Sequence, residues 1–292
     1  AGLCTFFDHS PAVLGKCSRL ILPTQSACAS SPAMRVMFVG DVVGRQGRKA
    51  VLDLVPRLRR AKELDAVVVN CENIAGGRGV TPEIADELLR SEIDILSSGN
   101  HIWHFKEIND YLEQEPRLLR PANYPDAPGS GSYVTRTANG KRLGVILVEG
   151  RVFMKNLECP FAAVKRELAS MGNVDATLID VHCEASSEKQ AMGWHFDGRV
   201  SAVVGTHTHV PTADERILPR GTAFQTDVGM TGPYDSVIGM EAKAAIRRFT
   251  TQRFVPYQVA SENVIFCGCV IDIDDATGRA RSIERIKEPW NG

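Results

Sequence analysis

The feature that most constrains the fold of this chain is a repeated alternation, beginning at Met34, of short apolar runs with amphipathic stretches. The first three apolar runs are "RVMFVGD", "DAVVVNCEN" and "IDILSSGNH", and further runs occur at 143–148, 176–181 and 200–204. Alternating strands and helices are typical of layered α/β folds, so the pattern predicts an α/β protein with a parallel or mixed sheet.

Two of the intervening stretches carry clear helix signals. In "GRKAVLDLVPRLRRAKE" the apolar residues recur at helical spacing, at Val51, Leu54, Val55 and Leu58. In "TPEIADELLRS", Thr81 is placed as an N-cap and a proline follows at the first helical position. A third helix is predicted near 104–114.

The chain from about residue 221 onward is predicted to be richer in strands. The segments "GTAFQTDV", "RFVPYQVA", "NVIFCGCVIDID" and "RARSIERI" have strand character, and one helix is predicted near 240–249. Neither an internal repeat nor a linker interrupts the pattern. Residues 34–292 are therefore predicted to form one domain.

Residues 1–33 differ from the rest of the chain, since they are rich in Ser, Ala and Pro and have no sustained period. They are interpreted as a poorly ordered N-terminal tail or as sequence upstream of a natural start at Met34. A transit peptide is the third reading, but such segments are usually rich in arginine and this one is not.

Charge and composition exclude several classes of function. The formal net charge is −1 and aromatic residues make up 7%, which argues against a stable nucleic-acid partner. No apolar run reaches the ~18 residues that span a bilayer, so no membrane partner is predicted. The eight cysteines form no C-x-x-C pair and are interpreted as free thiols in a reducing cytoplasm.

Polar residues follow five of the apolar runs at the point where each run ends. In open α/β sheets, ligands bind beyond the carboxyl ends of the strands, so strands lying side by side would bring these residues to one edge. Extended backbone across residues 207–209 would place both of its imidazoles on the same side. The residues are Asp41, Glu72, Asn73, Asn100, His101, His182, His207 and His209.

The ligand types in this group indicate a metal site. Carboxylates, amide oxygens and imidazoles without a thiolate suit Fe, Mn, Zn or Co. Seven of these residues, all except His101, are counted as ligands; seven exceed the four of a tetrahedral zinc site and fit two ions about 3.5–4 Å apart that share a carboxylate. Each histidine taken alone is more often a hydrogen-bonded structural residue than a ligand, but five such clusters are harder to explain in that way.

Longer motifs resemble the calcineurin-like metallophosphoesterases, and within them the bacterial 2′,3′-cyclic-nucleotide 2′-phosphodiesterase family. The similarity runs from Met34 to about Trp290 and is carried by "MRVMFVGDVVGRQGR", "VVNCENIAGGRGVT", "SSGNHIWH", "LLRPANYP" and the long segment from "DVHCEASSEKQ" to "MTGPYDSVIG". The broad superfamily usually opens with Asp-x-His and has an acid after Gly-Asn-His. This chain has Val43 and Ile102 at those positions, which agrees with the narrower family.

The resemblance implies a fold, a metal centre and a role for each residue. The implied fold is an α/β/β/α sandwich of two mixed β-sheets flanked by helices, often in homo-oligomers. Two metal ions are implied, iron in the first place and manganese as the alternative, with Glu72 as the bridging ligand. The implied ligands of metal one are Asp41, Asn73 and His209, and those of metal two are Asn100, His182 and His207.

The implied reaction is hydrolysis of 2′,3′-cyclic nucleotides to 3′-nucleotides by a metal-dependent phosphoric diester hydrolase. A hydroxide bridging the two ions would attack phosphorus, and His101 would protonate the departing ribose 2′-oxygen. The expected partner is a small nucleotide substrate, because the near-neutral charge makes long RNA less suitable.

Alternative functions remain at this stage. A dehydrogenase is suggested by "GDVVGRQG" followed by Glu72 at the next strand end, but the spacing is not G-x-G-x-x-G and five polar residues are left unexplained. A broader phosphomonoesterase, an RNA nuclease, or a metal-binding regulatory protein acting through a partner would keep the same residues.

Other segments have two readings each. The glycines of 75–81 could form a phosphate-binding nest or a surface loop, and the loop 227–239 is long enough to cover a site, with contact by Asp227 or Tyr234 left open. His104 is read as the start of a helix and His195 as a surface or structural residue. The two cysteines beside the site residues, Cys71 and Cys183, are predicted to be core residues.

Overall fold

The computed structural model describes residues 33–292, so the predicted N-terminal tail, apart from Ala33, lies outside the described residues. The described strands are β1 (Ala33–Val39), β2 (Asp41–Val42), β3 (Ala66–Asn70), β4 (Ile95–Ser97), β5 (Ser132–Arg136), β6 (Arg142–Glu149), β7 (Ala176–His182), β8 (Ala202–Thr206), β9 (Arg216–Ile217), β10 (Ala223–Gln225), β11 (Met230–Pro233), β12 (Val264–Asp274) and β13 (Ala280–Trp290). The helices are α1 (Gly44–Ala61), α2 (Pro82–Leu89), α3 (Ile108–Gln114), α4 (Pro160–Ser170), α5 (Ser186–Phe196) and α6 (Ala242–Thr251), with a 3₁₀ turn at Ile102–His104.

Two mixed sheets are built from these strands. The first has the order β2-β11-β12-β1-β3-β4, with β13 paired to β12. Within it β1, β3 and β4 are parallel, while β12 runs antiparallel to β1. The second sheet has the order β5-β6-β7-β8-β10-β9, and its four central strands are parallel.

The period of two along each strand sends alternate residues to different layers. In β1, Val36 and Phe38 pack between the sheets with Leu178 of β7. Their neighbours on the opposite face, Met37 and Val39, pack with the apolar face of α1 and α2. Residues on the outer face of the second sheet pack against α4 and α5 in the same way. The layers are therefore helix, sheet, sheet and helix, and the predicted α/β/β/α sandwich is confirmed.

Most predicted elements are found. Thr81 caps α2, with its hydroxyl oxygen accepting a hydrogen bond from the Ile84 amide at 3.4 Å. The helix predicted near 104–114 is divided into the 3₁₀ turn and α3. None of the described helices combines the length and apolar character needed to cross a membrane.

One predicted strand is wrong. The segment "RFVPYQVA", 253–260, has no strand and makes only an isolated bridge from Val259 to Met240. Pro256 lies in its middle and has no amide proton to donate to a strand ladder, and none of the residues of the segment is buried.

Candidate metal centre

Residues from both sheets form the candidate site. Asp41, Glu72–Asn73 and Asn100–His101 follow β1, β3 and β4 of the first sheet, whereas His182 and 207–209 end β7 and β8 of the second. These strands belong to two different sheets, so they do not all lie side by side in one sheet. The strand ends of the two sheets nevertheless meet, since Asn70 of β3 lies 3.3 Å from Asp180 of β7, and this brings the residues together.

The layer between the sheets changes from apolar to polar on approaching the site. Val68, Ile95 and Leu178 face the inter-sheet core. Two residues further along the same strands, and therefore on the same face, are Asn70, Ser97 and Asp180, which are all buried. The next residue on this face of β7 is His182. Because residues alternate between the two faces of a strand, these polar side chains lie between the sheets, on the same face as the apolar residues before them.

Glu72 lies at the centre of the cluster and is 1% exposed. Its Oε1 lies 3.2 Å from His182 Nε2 and accepts a hydrogen bond from Asn73 Nδ2 at 3.1 Å. Its Oε2 accepts a hydrogen bond from the His101 amide at 3.1 Å. One carboxylate thus touches members of both predicted ligand sets, as a bridging ligand must.

The first predicted set surrounds one side of Glu72. His209 Nε2 lies 3.2 Å from Asn73 Nδ2 and 3.9 Å from Asp41 Oδ1. The other ring nitrogen, Nδ1, lies 2.9 Å from the carbonyl oxygen of Ile238 and donates to it, so Nε2 is left with a lone pair that faces Asp41 and Asn73. Asn73 presents its amide nitrogen there; a half-turn of the amide would offer the oxygen to a metal and the nitrogen to His101 Nδ1, so the contact with His101 is kept in either orientation.

The second predicted set lies on the other side. His182 Nε2 is 3.0 Å from Asn100 Oδ1 and 3.0 Å from His207 Nδ1. The ligand atoms of Glu72, His182 and His207 all lie within 4.8 Å of one another. The second ring nitrogen of His207, Nε2, lies 3.2 Å from Glu184 Oε2.

The tautomer of His182 is set by a chain of hydrogen bonds. The Thr206 hydroxyl donates to Asp180 Oδ1 at 2.7 Å, and its oxygen lies 2.9 Å from His182 Nδ1. Ser97 and Asn70 donate to the other oxygen of Asp180 at 2.5 and 3.3 Å. Because the hydroxyl proton is committed to Asp180, His182 Nδ1 carries a proton toward Thr206 and Nε2 is the ring nitrogen that faces the site.

The backbone at 207–209 differs from the extended conformation expected from the sequence. His207 and His209 have φ of +92° and +66°, a region that residues other than glycine rarely adopt. The expectation of extended backbone was wrong because β8 ends at Thr206. Both imidazoles still reach the cluster, one on each side of Glu72.

A buried ion pair holds this unusual turn. Asp227 Oδ2 accepts hydrogen bonds from the amide and the hydroxyl of Thr208, at 3.2 and 2.7 Å. The same oxygen lies 2.7 Å from Lys189 Nζ, and both side chains of the pair are 1% exposed. Asp227 thus connects the turn to α5. The sequence left open whether Asp227 contacts substrate, and the structure shows that its carboxylate binds the turn.

His101 stands at the edge of the cluster, with its side chain 31% exposed. Its Nδ1 lies 3.0 Å from Asn73 Oδ1 and 3.4 Å from Glu72 Oε1. These contacts leave Nε2 as the ring nitrogen that is not engaged by residues 33–292.

Three observations fit these residues to metal ions. Asp41 Oδ1 is buried and has no hydrogen-bond partner among the described residues. A Cβ at Gly99 would lie 2.3 Å from both Glu72 Oε2 and His182 Nε2, so only glycine leaves the space open. The converging atoms are carboxylate oxygens, imidazole nitrogens and amide oxygens, which suit divalent first-row metals.

The electrostatics of the cluster are strongly perturbed. Burial raises the pKa of Glu72, but the imidazoles of His182 and His101 outweigh it and hold that pKa well below its usual range. Burial lowers the pKa of His182, but the carboxylates of Glu72 and Asp41 outweigh it and raise that pKa to about 9. Burial and His182 together lower the pKa of His207 to about 3. Burial raises the pKa of Asp41, whose charged form a cation would stabilise.

A cavity of about 340 Å³ opens onto the cluster. Glu72, His101, His207 and His209 lie on its floor, and Arg78 and Tyr257 belong to its walls. A second cavity of about 290 Å³ adjoins it and shares Arg78 and Tyr257.

The other residues considered in the sequence lie in the core, on the surface or beside the cavities. Cys71 and Cys183 are buried, which confirms the prediction that they are core residues. His195 is an exposed residue of α5. Tyr234 donates its hydroxyl to the Met230 carbonyl at 3.1 Å and lies outside both cavities, whereas Ile238 of the same loop lines the first. His104 lines the second cavity.

Sequence reasoning missed Asp180, Thr206, Lys189 and Glu184. Asp180 and Thr206 lie inside apolar strands, and a polar residue at an inward position of a strand was the available signal. Lys189 had no such signal, because its burial depends on packing of α5 against Asp227.

Comparison with known proteins adds independent findings. A model of the family described as YmdB-like protein matches residues 37–286. A 2′,3′-cyclic-nucleotide 2′-phosphodiesterase of Bacillus subtilis (strain 168) is 49% identical over 256 residues, which cover 87% of this chain and 96% of that protein. A putative phosphatase/phosphodiesterase of Mycoplasma genitalium is 32% identical over 265 residues, covering 87% of this chain and 92% of the relative.

Two solved structures are similar over most of their length. A hypothetical protein from Thermus thermophilus superposes with a TM-score of 0.83 at 41% identity, covering 88% of this chain and all of that one (100%). A novel phosphatase from Mycoplasma pneumoniae superposes with a TM-score of 0.83 at 30% identity, covering 89% and 94% of the two chains. These similarities confirm the resemblance identified from the sequence motifs.

Proposed function

Because this chain belongs to the YmdB-like family, we propose that it is a metal-dependent phosphodiesterase that hydrolyses 2′,3′-cyclic nucleotides to 3′-nucleotides. The observation that carries the proposal is the packing of Glu72, His182 and His207 at the floor of a cavity that also contains His101. The name of the Bacillus subtilis relative supports the same substrate class.

Two metal ions, iron or alternatively manganese, are proposed to bind on either side of Glu72. Asp41, Asn73 and His209 would hold one, and Asn100, His182 and His207 the other. When bound, the ions would neutralise charge on the phosphodiester and lower the pKa of the attacking water. The chain's own part is to fix these ligands, which the Thr206 and Asp227 contacts do.

His101 is proposed to donate the proton that the departing ribose 2′-oxygen needs. The Asn73 contact orients the imidazole through Nδ1, and Nε2 remains available to carry a proton. Protonation of this oxygen gives a 3′-phosphate as product, so the position of the phosphate reports the direction of ring opening.

The test is hydrolysis of 2′,3′-cyclic AMP by the metal-loaded protein with identification of the product. Formation of 3′-AMP is expected. His101→Gln is expected to lower kcat by about 10²–10⁴-fold with metal content unchanged, and Glu72→Gln to lose metal. His195→Gln, an exposed histidine on α5, is the matched control and keeps activity. Absence of turnover by protein with two bound metals would overturn the proposal.

A substrate with an aryloxide leaving group separates proton donation from other roles of His101. Bis-p-nitrophenyl phosphate releases a weakly basic oxygen that needs no proton donor. If His101 is the donor, the deficit of His101→Gln shrinks on this substrate. An equal deficit on both substrates would instead assign His101 to binding or to ligand positioning.

Phosphomonoesterase activity is the second candidate, because two relatives have names that include phosphatase. It is distinguished in the same assay, since a phosphatase would convert 3′-AMP to adenosine and inorganic phosphate. Release of phosphate from 3′-AMP at a rate comparable with ring opening would favour this broader activity.

A further inference from the structure

We propose that the second cavity is a subsite for a phosphate ester on the ribose 5′-oxygen of the substrate. The inference rests on the proposed function and deepens it, since it distinguishes a 2′,3′-cyclic nucleotide with a free 5′-hydroxyl from one that carries a 5′-phosphoryl group or a preceding nucleotide. The subsite consists of Arg78, Arg248, Tyr257 and His104 with the apolar residues between them.

The subsite is positively charged, and its guanidinium groups have no anionic partner in the described part of the chain. Among residues 33–292, neither the Arg78 nor the Arg248 guanidinium makes a hydrogen bond or an ion pair. The lining of the second cavity includes these two arginines and His104, and none of its residues is acidic. Arginines that line one concave surface and have no anionic partner among the described residues are suited to bind a phosphate.

The loop that carries Arg78 is fixed relative to the metal centre. The Gly77 amide donates to the carbonyl oxygen of Asn73, a predicted metal ligand, at 3.1 Å, and the Ala75 amide donates to the Gly79 carbonyl at 3.0 Å. A Cβ at Gly77 would lie 2.8 Å from both Met240 Cε and Val259 Cγ2. The loop is therefore packed tightly, and Arg78 is presented at the junction of the two cavities.

Tyr257 joins the two cavities and is held by the second arginine. Its ring belongs to the walls of both cavities. The guanidinium carbon of Arg248 lies 4.9 Å from the ring centroid, in a cation–π contact. A ribose or base placed between the metal centre and the second cavity would lie against this ring.

The charge of the substrate decides what the subsite binds. A nucleoside 2′,3′-cyclic phosphate carries its negative charge on the cyclic phosphate, and this group would bind at the metal centre. The base is neutral, and the 5′-oxygen is the remaining ribose hydroxyl position at which a second phosphate can be attached. Two arginines outside the metal centre therefore indicate a substrate with a second phosphate at that position.

The test compares three substrates of the manganese-loaded full chain: 2′,3′-cyclic AMP, its 5′-phosphate, and the dinucleotide ApA with a 2′,3′-cyclic end. We expect kcat/KM to be higher for both phosphorylated substrates by about tenfold or more, because each charge-assisted hydrogen bond to phosphate is strong. A preference shared by both identifies the phosphate itself, and a preference limited to the dinucleotide identifies the linking phosphodiester of an oligoribonucleotide.

Arg248→Gln is the decisive variant, since Arg248 lines only the second cavity. It should reduce the preference for the phosphorylated substrates to within about threefold of unity. Arg247→Gln, which removes the neighbouring positive charge of α6 from a position that lines neither cavity, should keep the preference. A preference that survives Arg248→Gln would overturn the inference.

A binding measurement separates this inference from the proposed function. The Kd of adenosine 3′,5′-bisphosphate is expected to be lower than that of 3′-AMP by calorimetry, and the difference should disappear in Arg248→Gln. Equal kcat/KM for the three substrates, together with equal Kd values, would overturn the subsite and leave the phosphodiesterase intact. If no substrate is hydrolysed, the phosphodiesterase fails and the Kd comparison still decides the subsite.

Discussion

At position 99 a glycine leaves open a space in which the Cβ of any other residue would clash with Glu72 and His182. Gly99→Ala would place a Cβ 2.3 Å from Glu72 Oε2 and His182 Nε2. We expect this variant to lose bound metal, measured by inductively coupled plasma mass spectrometry, while circular dichroism shows an intact fold. Gly131→Ala is the control, because its Cβ would meet Ala122 Cα at 2.4 Å, away from the centre. The Gly131→Ala variant should lose stability and keep its metal. Normal metal content in Gly99→Ala would contradict the proposal that a metal ion occupies the space beside Gly99.

The Thr206 hydroxyl is a second residue-scale feature, since it connects Asp180 to His182. Thr206→Val removes the hydroxyl at nearly constant volume and leaves His182 Nδ1 without its partner. Loss of such an orienting contact typically weakens metal binding about 10–100-fold. Competition with a fluorescent chelator measures the affinity, and Thr206→Ser should restore it. Equal affinity in the valine and serine variants would show that the hydroxyl does not orient His182.

At the scale of elements, the turn after β8 depends on a contact with α5. Lys189 of α5 and Asp227 form an ion pair in which both side chains are 1% exposed, and Asp227 also binds Thr208. Asp227→Ala leaves a buried lysine unpaired, so we expect a loss of roughly 3–5 kcal/mol in the free energy of unfolding. Urea denaturation measures it. The exposed pair Arg90–Asp86 is the control, with roughly 0–1 kcal/mol expected for its removal. A similar small loss at Asp227 would mean that the turn is held by other contacts.

The elements also show what the sequence could and could not predict. Strand ends with polar residues could be identified, because apolar runs such as "DAVVVNCEN" stop abruptly at Glu72 and Asn73. The assignment of strands to two sheets could not, because the parallel runs of both sheets have the same apolar pattern. The positive φ values at His207 and His209 were equally hidden, since they depend on Asp227 and Ile238, which lie 18 or more residues further along the chain. Local pattern therefore predicted which residues meet at the candidate site, and long-range contacts determined their geometry.

At the scale of the whole molecule, the candidate centre joins the two sheets. Asp41, Glu72 and Asn100 belong to the first sheet, and His182 and His207 to the second, so bound ions would connect the layers. Ligands that bind only the folded state stabilise it by mass action. We expect a chelator to lower the thermal midpoint by roughly 5–10 °C. Glu72→Gln should show little further change with chelator, and an unchanged midpoint in the native chain would contradict a metal centre between the sheets.

Because the candidate centre lies between two sheets, its residues are synthesised at widely separated times during translation. The Asp41 carboxylate accepts a hydrogen bond from the His207 amide across 166 residues of sequence. A nascent chain that has been synthesised only as far as β6 has Asp41, Glu72 and Asn100 but no imidazole from β7 or β8. Such a chain lacks three of the proposed ligands, and it also lacks Asp227, which binds the 207–209 turn through Thr208. If the proposed ions bind, the complete ligand set becomes available only after translation of most of the chain, and metal acquisition would follow that point.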